Sequence, residues 1–111
     1  MEQLQRLADM IAATYVRDLI RDTDSNAFTV DGVSGNIEVS LLSAGLYGNA
    51  LLSSQKETGR TDEKKAYWLL ADLISLDGPE YQLTDHGVSV IKKMTELSLR
   101  KQIAQKNNII Q

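Results

Sequence analysis

The single proline of this 111-residue chain lies in Asp77-Gly78-Pro79-Glu80, and no regular element can run through that stretch. Proline locks its own backbone and lacks an amide donor, while glycine supplies a dihedral that other residues resist. Two elements must therefore meet here at a tight turn. Before it, Ala66, Leu69, Leu70, Leu73 and Ile74 recur at helical spacing, which predicts an apolar helix within 61–74. Thr61 is its candidate cap, with Asp62 and Glu63 in the first turn. After the turn, Tyr81-Gln82-Leu83 alternates as a short strand. Thr84 and Asp85 then read as the cap and first turn of a final helix, and Gly87 would let that helix come close to the strand.

The clearest helical pattern elsewhere covers 3–22. Leu4, Leu7, Ile11, Tyr15 and Leu19 form its stripe, widened by Ala8, Ala12, Val16 and Ile20. The stripe is wide enough to leave part of it for a partner chain. Asp22-Thr23-Asp24-Ser25-Asn26 ends this helix, because short polar side chains compete for backbone hydrogen bonds. A short strand is expected at 28–30, followed by the turn-rich run Asp31 to Asn36. Ile37 to Leu41 alternates like a strand, yet Ile37, Leu41 and Ala44 also fit one helix face. The reading adopted is a helix from Gly35 to Ser53, with a break expected near Gly48-Asn49. In the final helix, Val88, Ile91 and Thr95 mark one edge, and Val90, Met94 and Leu97 another in near-heptad spacing.

Composition bounds the function. The 42% apolar and 24% charged fractions are those of a globular domain, and the length suits one domain spanning 1–111. With no cysteine there is no disulfide framework and no thiolate nucleophile. The first residues lack a signal-peptide pattern and no segment has membrane-spanning length, so a soluble cytoplasmic protein is expected. Residues 1–50 carry a net −4, residues 51–85 a net −3 and residues 86–111 a net +4. An acidic body with a basic end argues against binding nucleic acid by overall charge, and leaves room for a local basic surface.

The order of apolar helix, glycine turn, Tyr81-x-Leu83-Thr84-x-x-Gly87 and final helix resembles the C-terminal half of winged-helix DNA-binding domains, over residues 61–97. The resemblance implies an α+β, mostly helical, winged-helix-like fold, with roughly three to four helices and a short β-hairpin wing. It implies that 61–74 is the helix presented to the major groove. Arg60, Lys64 and Lys65 would then contact phosphates or bases, with Lys56 on the preceding helix and the turn at 77–80 beside the DNA backbone. In such proteins terminal helices often pair, so a homodimer through 3–22 and 85–106 is expected.

No enzyme constellation appears. His86, the lone histidine, adjoins Asp85, but neighbours on a helix point apart. The acidic pairs suit capping, Ser53-Ser54 lacks a nucleophile elbow, and the scattered glycines match no phosphate-binding fingerprint. No metal or cofactor is expected. Tyr67 and Trp68 fit either core packing or an interface. Two functions remain. One is a small sequence-specific DNA-binding transcriptional regulator. The other is a non-catalytic protein-interaction module, an inhibitor, antitoxin-like protein or adaptor meeting a basic protein partner. Asp77 and Glu80 at the turn favour the second; the Arg60, Lys64 and Lys65 cluster favours the first.

Overall fold

The computed structural model describes residues 2–30 and 32–110. The fold is α+β and mostly helical. Its order is α1 (Glu2–Thr23), β1 (Ala27–Val30), β2 (Val33–Asn36), α2 (Val39–Thr58), α3 (Glu63–Ala71), β3 (Ile74–Ser75), β4 (Gln82–Leu83) and α4 (Asp85–Ile110). The strands form two separate antiparallel hairpins, β1–β2 and β3–β4. Among the described residues, no helix is long and apolar enough to cross a membrane.

The first helix forms where its periodicity predicts. It lies at the centre of the fold, packed along α2 and across α3. Leu4, Leu7, Ala8, Ile11, Ala12 and Val16 are all buried in the shared core. That stripe, expected to serve a partner in part, is engaged within the chain; Ile20 is the large apolar residue of α1 left exposed. On its polar side, Ser43 of α2 donates to the Asp9 carboxylate and the Gln5 amide donates to the Ser43 hydroxyl at 3.1 Å. The helix ends as its aspartates suggest. Asp24 turns left-handed at φ 57°, and the Thr23 hydroxyl reaches the Leu19 carbonyl at 2.8 Å.

The following segment departs from expectation. Residues 33–36, assigned above partly to a helix starting at Gly35, pair as β2 against β1 with Phe28 opposite Gly35. Asn26 closes the base of this hairpin, exchanging hydrogen bonds with the Ile37 backbone at 2.8 and 3.1 Å. Asp31, in the expected turn, lies outside the described residues. The physical reason is tertiary: Gly35 leaves room for the Leu99 and Phe28 side chains, and Ile37 drops into the core. Helix α2 then begins at Val39 and continues to Thr58, past the expected end at Ser53 and without a break at Gly48. Gly45 faces Met94 of α4 across its missing side chain, so small residues here admit a neighbour while the helix continues.

Helix α3 starts one residue later than expected. Asp62 takes the cap position, accepting from the Lys65 amide at 3.1 Å, in place of Thr61. A carboxylate caps as well as a hydroxyl does and adds favourable charge at the helix start. The helix stops at Ala71, and Ile74, expected on its face, instead pairs with Leu83 as β3 meets β4.

Thr84 caps α4 as expected. Its hydroxyl accepts from the Gly87 amide at 3.0 Å and donates to the Asp72 carbonyl at 3.0 Å. Gly87 also explains how closely α4 sits: a side-chain carbon there would collide with the Leu73 carbonyl group, lying 2.9 Å from its carbon. Along α4, Gly87, Ile91, Thr95 and Leu99 are buried, while Val88 and Leu97, expected in the apolar edges, are 42% and 54% exposed.

Candidate nucleic-acid interface

The cationic residues singled out by sequence all lie where α2 turns into α3. Gly59 makes that turn possible. At φ 79° it adopts the left-handed conformation, and its amide closes on the Gln55 carbonyl at 2.8 Å. Four residues, 59–62, connect the two helices. The fully buried Ser54 holds both sides of this connection: its hydroxyl donates to the Leu51 carbonyl at 2.7 Å and accepts from the Asp62 amide at 3.1 Å. Thr58 donates to the Arg60 carbonyl at 2.8 Å. A short glycine-bearing turn thus joins α2 to α3.

Lys56 sits in the last turn of α2, Arg60 in the connection, and Lys64 and Lys65 in the first turn of α3. All four are exposed. The nearby acids are partly engaged with the chain itself. Glu57 pairs with Lys65 at 3.3 Å, and Asp62 holds the α3 cap. Lys56, Arg60 and Lys64 form no ion pair among the described residues.

The rest of α3 divides cleanly by face. Ala66 and Leu70 are buried at 0% and 2% exposure, which anchors the helix to the core. Tyr67 and Trp68, taken together above, part company. Tyr67 packs against the core, whereas Trp68 is 59% exposed, one turn beyond Lys64 on the outer face. Their rings meet edge to face with centroids 6.0 Å apart.

The β3–β4 hairpin lies next along the chain, and its acidic connection has a partner that sequence reading missed. Glu80 lies 3.5 Å from Arg21 and 4.0 Å from Arg17 of α1. Arg17 also donates to the Tyr81 carbonyl at 2.9 Å and bonds Asp18. Glu80 is therefore turned toward α1, where it shares the two guanidiniums with Asp18. The spacing of Arg17 and Arg21 on one helix face was visible in the sequence; their destination was not. Gly78, at φ 93°, makes the bend as expected, and Asp77 is exposed.

A separate concavity of about 170 Å³ opens between the β1–β2 hairpin, the start of α2 and α4. Phe28, Ile37, Leu42, Met94 and Leu99 give it an apolar floor, and Leu41, 67% exposed, stands at its edge. His86 is exposed on the first turn of α4, away from this wall. Among the described residues no cluster of three or more histidine, aspartate or glutamate side chains is placed to hold a metal ion. No family model matches the chain, and no curated protein or solved structure matches it either.

Proposed function

We propose that this chain is a small sequence-specific DNA-binding regulator built as a winged helix-turn-helix. In this reading α3 enters the major groove, Arg60, Lys64 and Lys65 contact phosphates or base edges, Lys56 supports them from α2, and the β3–β4 hairpin serves as the wing. The observation that carries the reading is the four-residue connection at 59–62, pinned by Ser54, which brings four exposed cations to one corner of the molecule. The engagement of Glu80 by Arg17 and Arg21 also supports it, since that charge is balanced before any phosphate approaches. The protein acts in the cytoplasm without cofactor or catalysis.

A homodimer suits this function, because paired subunits read paired half-sites. The exposed Leu41 beside the α2–α4 concavity and the exposed Leu97 on α4 supply the apolar surface for it. A monomer in light scattering at high concentration would rule the dimer out.

The decisive experiment is retention of duplex DNA against rising salt. Four phosphate contacts would give a logarithmic salt slope of about −3.6. Retention should vanish in the double variant Lys64→Glu, Lys65→Glu. If wild type retains no duplex even at low salt, the regulator reading fails. The second reading, a non-catalytic protein-interaction module, then takes its place, favoured by the net −4 of residues 1–50 and directed at a basic protein partner.

A further inference from the structure

Helix α2 is apolar on two opposite faces, and the fold covers only one of them. Leu42, Leu46 and Ala50 are buried in the core. On the far side, Leu41 and Leu52 are 67% and 59% exposed. Gly45, exposed, and Gly48, half-buried, lie between them at the spacing of a single helix face. Residues 39–55 carry no charged side chain, in a chain whose charged fraction is 24%. A helix that is apolar all round is one that is covered all round. Gly48 adds how close the cover comes. Glycine inside a helix costs stability relative to alanine. Within the chain nothing offsets that cost, because a side-chain carbon at Gly48 would meet no atom within 4 Å. A second backbone approaching from outside gives the missing side chain a use.

The occupant follows from the face itself, which reads alike in both directions. Leu41 and Leu52 are equally far from the midpoint between residues 46 and 47, and so are Gly45 and Gly48. Antiparallel packing about a two-fold axis at that midpoint sets glycine against glycine and leucine against leucine. The ends are complementary in charge. Glu38 precedes α2 and makes no cap hydrogen bond with its side chain, and Lys56 lies in the last turn. Both are exposed, and neither forms an ion pair among the described residues. The same axis brings each Glu38 beside Lys56 of the partner subunit. A two-fold contact demands such self-complementarity, and a foreign partner does not. We infer that α2 is the homodimer interface, packed antiparallel on α2 of a second copy, with Gly45 against Gly48 of the partner subunit. This deepens the homodimer reading given above, on which it rests, and does not depend on DNA binding.

The test measures self-association by sedimentation across a concentration series. Wild type should form a dimer, and Gly48→Arg should weaken it more than 100-fold by placing bulk and charge where the backbones meet. In samples dilute enough to be monomeric, Gly48→Arg should melt no lower than wild type, since arginine favours a helix more than glycine does. Glu38→Lys should weaken the dimer about fivefold at low salt, two symmetric exposed pairs being lost. Adding Lys56→Glu to that variant should restore it. The register is read by cross-linking, because the natural chain has no cysteine. A mixture of Leu41→Cys and Leu52→Cys proteins should join under mild oxidant. Leu41→Cys alone should not, its two copies standing about 16 Å apart along the pair, well beyond the roughly 7 Å that a disulfide spans between Cα atoms.

A dimer that survives Gly48→Arg, or that cross-links through Leu41→Cys alone, overturns this interface and leaves the homodimer to another surface. If Gly48→Arg does not fold, the cross-linking of the mixture decides alone, and its absence is then the overturning result. A wild type that stays monomeric at every concentration removes this inference and the homodimer together, whatever duplex retention shows.

Discussion

The two hairpins make an instructive contrast. The β1–β2 hairpin has four-residue strands, and the β3–β4 hairpin has strands of two. By ladder length the first should be the more firmly held. The surroundings point the other way. Val33 of β2 is exposed, and the Leu99 side chain of α4 lies against the hairpin at Gly35. The β3–β4 hairpin is held on three sides: Thr84 bonds the end of α3, Gly87 brings α4 onto the Leu73 carbonyl, and Arg17 reaches Tyr81 from α1. A short ladder embedded in tertiary contacts is better determined than a longer one at the edge, because isolated hairpins gain little in water.

Substitutions can break or sharpen this contrast. The largest effect is expected from Gly87→Ala, where the added carbon meets rigid backbone. It should destabilise the fold by about 3 kcal/mol, lowering the thermal midpoint by roughly 12 °C or more. Thr84→Ala comes next. Loss of the cap should cost about 1.5 kcal/mol in urea unfolding, with Thr84→Ser recovering most of it. In the other hairpin, Gly35→Ala places its carbon 3.2 Å from the end of the Leu99 side chain, which can turn toward the adjoining concavity. Its stability should stay within about 0.5 kcal/mol of wild type. An effect of Gly35→Ala as large as that of Gly87→Ala would erase the distinction. Glu80→Gln removes a half-exposed charge from the α1 clasp and should change stability by about 0.3 kcal/mol at low salt and nothing at high salt.

A further effect, at Tyr15, emerges only at alkaline pH. Burial pushes the Tyr15 phenol above its usual ionisation range, and the Glu96 carboxylate on α4 adds to the shift. A phenol whose folded pKa is raised contributes stability that is complete below its unfolded value near about 10 and is lost as pH rises through the folded value. Alkaline unfolding should therefore be shallower in Tyr15→Phe than in wild type. Equal slopes would mean that the Tyr15 phenol is not buried in the folded protein.

Much of this arrangement was legible in the residues. Thr84, Gly87 and Gly78 each have one physical task, and local chemistry announces it. The stripe of α1 was equally plain. The boundary between β2 and α2 was not, because Ile37, Leu41 and Ala44 satisfy two periods and Glu38 caps α2 without a side-chain hydrogen bond. Asp62 and Thr61 are both competent caps, and the choice was made by Ser54, eight residues earlier, which binds the Asp62 amide. For the candidate site, the four cations could be named from sequence, but their convergence depends on the left-handed turn at Gly59. The outward position of Trp68 beside the inward one of Tyr67 depends on which side of α3 meets the core. No local pattern contains that choice.

The clasp between Arg17 and the Tyr81 carbonyl spans 64 residues of chain. Closing a loop of that length has an entropic cost that one exposed contact cannot offset, so the clasp forms only after the helices have packed. Contacts made last and exposed to solvent also open first. In native-state hydrogen exchange, the amides of 76–81 should therefore exchange through local opening, while those of α4 behind Gly87 wait for global unfolding. The tip of β3–β4 thus has its own clock, faster than that of the body to which it is tied.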